Sequence, residues 1–243
     1  LKAFGEKLPL LRLQVEKDLS GNTLNEPRVI ATIISLMERT YIRIGNAEYE
    51  KSNGSYGLTT LHDRHVMIGT GNIRFTFKGE KGIFHNITLR NRKLARIVQQ
   101  CRDIPGKELF QYYDDEGKRQ PVDSGMVNRY IHEHLGEDFS AKDFRTWAGS
   151  LSLLRALQNV GMFDSVTECR HKINLALDEV SSKLGNTRTV CRKYYVHPGI
   201  IRLYEENQIQ KYLDELDKIE AYDKKSGLTS DEKVLMELLG EVS

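Results

Sequence analysis

Apolar residues recur every three or four positions through much of the chain, which predicts amphipathic helices. Asn25 is a candidate N-cap and Pro27 a first-turn residue for the first of these helices, which should end near Gly45 and Asn46. Gly185 should close the last and longest one, which we expect to be a core helix. The segments with this spacing are residues 28–44, 94–98, 127–134, 147–160 and 166–184. Residues 107–121 are predicted to be a polar connection.

Between the first two of these segments, three short runs alternate polar residues with β-branched or aromatic ones. The runs are residues 65–68, 74–78 and 83–89, and glycine-containing turns separate them. This pattern predicts a small antiparallel sheet of three strands. The sequence therefore predicts a mainly α fold with a small antiparallel β-sheet insert, of the α+β class.

The C-terminal part changes in charge. Residues 203–243 contain 11 acidic and 5 basic side chains, so the formal net charge of +2 conceals a body of about +8. Two acidic amphipathic segments are predicted there, at 200–219 and 231–239, and Thr229 and Glu232 have the spacing of a capping box for the second. We expect three parts: 1–90 with the β insert, 91–202 helical with the candidate chemistry, and 203–243 as an acidic helical tail.

Composition narrows the class of protein. The chain has 243 residues, 39% apolar and 29% charged, which is enough for a globular core and excludes a disordered or collagen-like chain. No apolar run is long enough to cross a bilayer and no leader opens the chain, so we expect a cytoplasmic protein. Because Leu1 is not a methionine, an N-terminal portion is expected to be missing. The three cysteines fit neither a disulfide framework nor a zinc site, which predicts reduced thiols.

One segment stands out chemically, GNTRTVCRKYYVHPG at 185–199. Tyr194 and Tyr195 follow three cations, and no acidic residue lies between 185 and 202. A phenol, with a pKa near ~10, needs nearby cations to act as a nucleophile, and an anionic phosphodiester is a substrate that suits them. A basic, solvated loop with tyrosines packed on the core is the alternative, and spacing alone favours it. No metal, phosphate-loop or dinucleotide motif is present.

Three motifs in register resemble the type IB DNA topoisomerases, specifically the compact bacterial enzymes similar to those of poxviruses. VCRKYYVHPG resembles the nucleophile segment, with Tyr195 as the nucleophile. KDFRTWAGS at 142–150 resembles the second-arginine motif, with Arg145 at a helix start. TYIRIGNAEYEKSNGSYGLTTLHDRHV at 40–66 resembles the first-arginine motif, with Arg43 at a helix end. The resemblance runs from about residue 1 to residue 210.

The resemblance implies roles for these side chains. Arg43 and Arg145 would bind the nonbridging oxygens of the scissile phosphate. Asn186 stands where the poxvirus and nuclear enzymes carry a histidine, and it would donate a hydrogen bond in the transition state; a helix C-cap is an equally good interpretation. The family places its general-acid lysine after Phe-x-Gly in a β-hairpin. Here Glu80 occupies that position, so we predict Lys81 as the general acid and regard Lys78 as a weaker alternative.

Further DNA contacts are expected from the signature segment and from the basic segment before the nucleophile: Tyr49, Thr59, Thr60, Arg64, Arg188, Arg192 and Lys193. We interpret His65 and His197 as local hydrogen-bond partners and Trp147 as a core residue.

The resemblance implies a metal- and ATP-independent enzyme without cofactors, a nucleoid-associated monomer that relaxes supercoiled duplex DNA. Residues 1–19 would form a helical connection to a clamp domain that the chain lacks. A tyrosine recombinase is the alternative, disfavoured because Lys142 stands where that group has histidine. A DNA-binding module that has lost catalysis is another, suggested by Glu80.

Overall fold

The computed structural model describes residues 1–219 and 227–243. Two compact units divide the chain: unit 1 contains Leu1–Arg12 and Lys142–Ser243, and unit 2 contains Leu13–Ala141. The helices are α1 Lys2–Leu19, α2 Glu26–Thr40, α3 Ala47–Asn53, α4 Arg92–Asp103, α5 Ser124–Leu135, α6 Ala141–Val160, α7 Val166–Leu184, α8 Arg188–Val190, α9 Pro198–Glu205, α10 Gln210–Asp217 and α11 Ser230–Val242. The strands are β1 Val66–Ile68, β2 Asn72–Lys78, β3 Phe84–Arg90, β4 Gln111–Tyr113 and β5 Arg119–Pro121.

The predicted α+β class is confirmed. In unit 2 the strands β1, β2 and β3 form the expected three-stranded antiparallel sheet, in that order. The β2–β3 register runs from Asn72 opposite Arg90 to Lys78 opposite Phe84, which places the hairpin turn at residues 79–83. One face of β2 is buried through Ile73, Phe75 and Phe77, as the alternation requires.

The predicted connection at 107–121 is wrong in part. It contains β4 and β5, which pair as a second antiparallel sheet of two strands. Each strand has only three residues. A run of that length does not show alternation, which explains why the pattern did not reveal it.

Helix α2 begins as predicted, with the Asn25 side chain accepting a hydrogen bond from the backbone N–H of Arg28 at 3.1 Å. It ends earlier than predicted. Tyr41 adopts a left-handed conformation with φ 59° and caps the helix. The backbone beyond it pairs instead with the loop at 57–59, where Leu58 N–H donates to Arg43 O at 2.8 Å. This pairing holds Arg43 in an extended segment rather than on a helix.

Unit 1 has the predicted helix α7 at its core. Its buried residues are Cys169, Ile173, Ala176, Leu177, Val180 and Leu184, and Gly185 caps it in a left-handed conformation. The predicted segment at 200–219 is divided into α9 and α10, with Asn207 at φ 57° between them. The predicted division at residues 90 and 202 stays a prediction, and the predicted tail includes residues 220–226, which lie outside the described residues.

The acidic C-terminal helix α11 packs on the rest of unit 1. Glu232 at its first turn is buried, and its carboxylate accepts hydrogen bonds from Arg12 at 2.7 and 3.0 Å. It also accepts from Trp147 Nε1 at 2.6 Å and from the backbone N–H of Thr229 at 3.0 Å, which confirms the predicted capping box. This single carboxylate therefore ties together α1, α6 and α11.

The three cysteines are buried free thiols. None of the helices described here has the length and apolar character needed to span a membrane.

Candidate active site

The candidate nucleophile lies in an irregular helical segment of unit 1. After the single turn of α8, residues Cys191–Tyr195 continue as one π-helical turn, and Pro198 then begins α9. Tyr195 is buried, with 9% of its surface exposed, whereas 47% of Tyr194 is exposed. Two adjacent tyrosines therefore have different surroundings, and only Tyr195 packs into unit 1.

Arg145 lies in the second turn of α6, directly against Tyr195. The guanidinium carbon is 4.9 Å from the centroid of the tyrosine ring, within the range of a cation–π contact. Arg145 is itself buried, and its Nη2 donates to Leu184 O at 2.8 Å and to Asn186 Oδ1. Unit 1 thus brings together three predicted site residues around one permanent cation.

Asn186 lies at the end of α7, where the sequence allowed a capping role, and its hydrogen bond in the transition state stays a prediction. Its backbone N–H donates to Ser181 O at 3.1 Å, so it helps Gly185 to end α7. Its side-chain oxygen meanwhile accepts from Arg145, which leaves the amide NH₂ group as a donor. The helix end therefore fixes the residue that orients the arginine.

Two further residues hold the nucleophile segment, and the sequence pattern did not single them out although both lie in the KDFRTWAGS motif. A Cβ placed on Gly149 would lie 2.2 Å from the carbonyl oxygen of Tyr195, so only glycine permits this approach. Ser150 Oγ accepts a hydrogen bond from the backbone N–H of His197 at 3.0 Å. Helix α6 therefore positions the backbone on both sides of Val196 as well as presenting Arg145.

His197 has the local role expected for it. Its Nδ1 accepts from the backbone N–H of Gly199 at 3.1 Å, which caps α9. Burial lowers the pKa of His197 below its ordinary value, because it disfavours the charged ring.

In unit 2, Arg43 lies beside the β2–β3 turn. Arg43 Nη1 and Glu80 Oε2 form an ion pair, with 29% and 40% of the two side chains exposed. Lys81 is the next residue, exposed and in a left-handed conformation with φ 56° and ψ 23°. Lys78 ends β2 and is also exposed. The five predicted catalytic residues are therefore divided between the units, three in unit 1 and two in unit 2.

The predicted DNA-binding residues of the signature segment differ in exposure. Tyr49 is exposed on α3, and Arg64 is exposed with its Nη2 donating to Tyr56 OH at 3.1 Å. Thr59 and Thr60 are buried; the Thr59 hydroxyl donates to Ile44 O at 2.7 Å and the Thr60 hydroxyl to Gly57 O at 3.2 Å. These threonines stabilise the loop, and DNA contact by them stays a prediction.

The basic residues before the nucleophile are exposed. Arg188 forms a bidentate pair with Asp178, with both N···O distances at 2.7 Å. Arg192 is exposed as well, and Lys193 Nζ lies 5.0 Å from the centroid of the Tyr194 ring.

His65 and Trp147 also have local roles. His65 Nδ1 accepts from the backbone N–H of His62 at 2.9 Å, and burial, with the nearby charges of His62 and Arg64, lowers the pKa of His65 to about 4. Trp147 is buried, as predicted. Among the residues that the structure describes, no group of three or more His, Cys, Asp or Glu side chains is arranged to hold a metal ion.

The buried tyrosine and the arginine held by hydrogen bonds both lie in the motifs quoted above. Comparison with known families supports the class of protein that these motifs indicate. The family model described as eukaryotic DNA topoisomerase I, catalytic core, matches residues 1–225, and the chain belongs to this family.

Individual relatives agree with that class. The chain is 30% identical over 211 residues to a DNA topoisomerase 1B of Acanthamoeba polyphaga mimivirus, a match that covers 84% of this chain and 63% of the relative. It is 20% identical over 206 residues to the DNA topoisomerase 1B of Vaccinia virus strain Copenhagen, covering 84% and 62%. A DNA topoisomerase 1 of Mycosarcoma maydis is 26% identical over 166 residues, covering 61% of this chain and 16% of the relative. The chain thus spans less than two thirds of the length of the two viral relatives.

Proposed function

We propose that the chain is the catalytic region of a type IB DNA topoisomerase. The observation that carries the proposal is the grouping of Tyr195, Arg145 and Asn186 in unit 1. In the proposed reaction the Tyr195 oxygen attacks a phosphodiester of duplex DNA and the bond to the 5′ oxygen breaks. The products are a 3′-phosphotyrosyl link and a free 5′ hydroxyl. The free strand rotates, and the hydroxyl then attacks the phosphotyrosine to reseal the DNA and release the tyrosine.

The charges near Tyr195 suit this chemistry. The transition state of phosphoryl transfer carries negative charge on its equatorial oxygens, and donors that are already oriented stabilise it without reorganisation. Arg145 is oriented by Leu184 O and Asn186 before any substrate binds. We propose that Arg43 and Arg145 bind the nonbridging oxygens of the scissile phosphate and that the free amide NH₂ of Asn186 donates to the same group.

The energy of the broken bond stays in the phosphotyrosyl link, so the cycle needs no ATP. A proton is still needed, because a 5′ alkoxide is a poor leaving group. We propose Lys81 as its donor, because it is exposed in the turn directly after Glu80 and an ammonium group can donate a proton, whereas a carboxylate only accepts.

The first experiment identifies the nucleophile. Tyr195→Phe should abolish covalent protein–DNA adducts on a nicked duplex used as a suicide substrate, while leaving noncovalent DNA binding nearly unchanged. Tyr194→Phe is the matched control, since it removes the same hydroxyl from the exposed neighbour, and it should retain adducts. Loss of adducts in the Tyr194 variant alone would refute the assignment.

The second experiment tests the acid. Lys81→Ala should slow cleavage of an ordinary phosphodiester by ~10² to 10⁴. A substrate with a 5′-bridging sulfur, whose leaving group needs no proton, should recover most of that loss. Lys78→Ala is the control and should affect only binding. If Lys81→Ala cleaves each substrate as fast as the parent does, Lys81 has no role as the general acid.

A DNA-binding module without cleavage is the second candidate, favoured by the acidic residue at the family's lysine position. Absence of any adduct from the parent protein would select it. The remaining features of the proposal are a monomer of bacterial origin, a preference for supercoiled DNA, and a cytoplasmic, nucleoid-associated location. Relaxation of a supercoiled plasmid, at protein concentrations where sedimentation detects only monomer, tests whether the monomer acts on supercoiled DNA.

A further inference from the structure

The ion pair between Arg43 and Glu80 is set by the backbone of unit 2. Leu58 N–H donates to Arg43 O, and Tyr56 N–H, two residues earlier, donates to Lys78 O at 2.9 Å. One short loop is therefore bonded both to the arginine segment and to the end of β2. Glu80 follows two residues after Lys78, inside the hairpin turn.

The turn itself is closed by its own backbone. Gly79 N–H donates to Ile83 O at 2.7 Å, and Gly82 N–H donates to Gly79 O at 3.2 Å. These bonds, with the loop described above, place the backbones of Glu80 and Arg43 within reach of each other. The fold of the hairpin therefore permits the ion pair that the two side chains form.

A carboxylate and a phosphate compete for the same guanidinium donors, because each is an anion with two oxygens that can accept hydrogen bonds from the arginine fork. We infer that Glu80 is a positioning residue that occupies the phosphate-binding donors of Arg43 while no DNA is bound, an inference that rests on the function proposed above. Binding of a DNA phosphate at Arg43 is then an exchange: the carboxylate leaves as the phosphate arrives. Glu80 keeps the arginine oriented, and it also weakens the grip on DNA.

This exchange has a measurable signature. While Glu80 is present, the interaction that Arg43 gains with the phosphate is largely offset by the interaction that it loses with the carboxylate. Without Glu80 the full phosphate contact adds to affinity. Arg43→Ala should therefore weaken DNA binding more in the Glu80→Gln background than in the parent, a coupling that simple repulsion between Glu80 and DNA would not produce.

The experiment is a double-mutant cycle of Glu80→Gln and Arg43→Ala, carried out in the Tyr195→Phe background. Binding of a fluorescent duplex is followed by anisotropy at low and high salt. Glu116→Gln is the matched control, since Glu116 is an exposed glutamate in the β4–β5 turn that pairs with Lys118 at 3.1 Å. Urea unfolding of each variant confirms that the fold is retained.

We expect Glu80→Gln to tighten duplex binding roughly threefold to tenfold at low salt, the range for a partly exposed ion pair, and Glu116→Gln to change it by less than about twofold. Equal costs of Arg43→Ala in both backgrounds, or weaker binding by Glu80→Gln, would overturn the inference. The cycle reads noncovalent binding, so it does not depend on cleavage. Failure of the proposed function appears separately, as a lack of adducts when Tyr195 is present.

Discussion

Replacing Gly149 by alanine should disturb both the stability and the chemistry of unit 1. The added Cβ would lie 2.2 Å from the carbonyl oxygen of Tyr195 and 3.1 Å from its carbonyl carbon. Both are backbone atoms, so no side chain can rotate away to make room. Restoring ordinary van der Waals contact requires α6 and the nucleophile segment to separate by about 1 Å.

Two opposing effects determine the size of the change. Alanine is favoured over glycine within a helix by about 1 kcal/mol. Overpacking usually costs about 1 to 3 kcal/mol, and a backbone overlap belongs at the upper end of that range. We therefore expect the free energy of unfolding to fall by about 1 to 2 kcal/mol. A displacement of about 1 Å at the nucleophile should also slow adduct formation by about 10²-fold.

Urea unfolding and single-turnover adduct formation measure these two quantities. Gly240→Ala is the control, because Gly240 lies in α11 and its added Cβ would meet only Lys2 Nζ, at 3.9 Å. That variant should raise the free energy of unfolding by about 0.5 to 1 kcal/mol and leave adduct formation unchanged. If Gly149→Ala behaves in the same way, the close approach of Tyr195 to α6 has no energetic role.

Three further predictions follow from the described contacts. Burial raises the pKa of Glu232, but Arg12 and the other donors outweigh burial and hold it below the ordinary 4.5. The stability that Glu232 contributes above pH 4.5 should thus be lost as pH falls through its native pKa. Glu232→Gln should lower the free energy of unfolding by about 3 kcal/mol at pH 7 and flatten the acid limb of the stability profile. An unchanged acid limb would contradict this. Asp178→Asn should release Arg188 from its ion pair and tighten duplex binding at low salt, as measured by anisotropy. Unchanged binding would show that Arg188 does not contact DNA. A thiol reagent should modify no cysteine before global unfolding, because all three are buried; rapid labelling of the native protein would refute it. These cysteines are Cys101, Cys169 and Cys191.

The elements that the sequence predicted well are those that bury one face. Helix α7 has the predicted bounds because six apolar residues form one stripe and Gly185 can adopt the left-handed conformation that ends it. The three-stranded sheet followed from alternation, since one face of β2 is buried. In both cases the burial pattern and the local conformation agree.

The elements that escaped prediction lack such a face. Helix α3 has no buried residue, so its sequence carries no helical stripe, and its N-cap Asn46 was interpreted as the end of α2. The true end of α2 depends on Tyr41, a bulky residue in a conformation that favours glycine. The loop pairing that follows Tyr41 joins residues 15 positions apart, which periodicity does not reveal.

The candidate site was predicted only in part, and mostly through the resemblance. The motifs selected Tyr195, Arg145 and Asn186, and the structure brings these three together. The contact between Glu80 and Arg43 depends on a loop bonded both to the segment of Arg43 and to the end of β2, so the departure at Glu80 was visible in the sequence but its partner was not. The roles of Gly149 and Ser150 depend on a backbone 46 to 47 residues away, beyond any local pattern.

The hydrogen bonds of Glu232 determine when, during synthesis, helix α6 can become fully anchored. Unit 2 is one continuous stretch, Leu13–Ala141, and all its contacts are available once that stretch has left the ribosome. Unit 1 joins Leu1–Arg12 to Lys142–Ser243, and Arg12 must wait for a partner 220 residues later. Closing so long a loop is slow and entropically costly. Helix α6, with Arg145 and the contacts that hold Tyr195, therefore gains its anchor at Glu232 only after residue 232 has been synthesised, so a nascent chain already able to fold unit 2 still lacks a firmly held nucleophile.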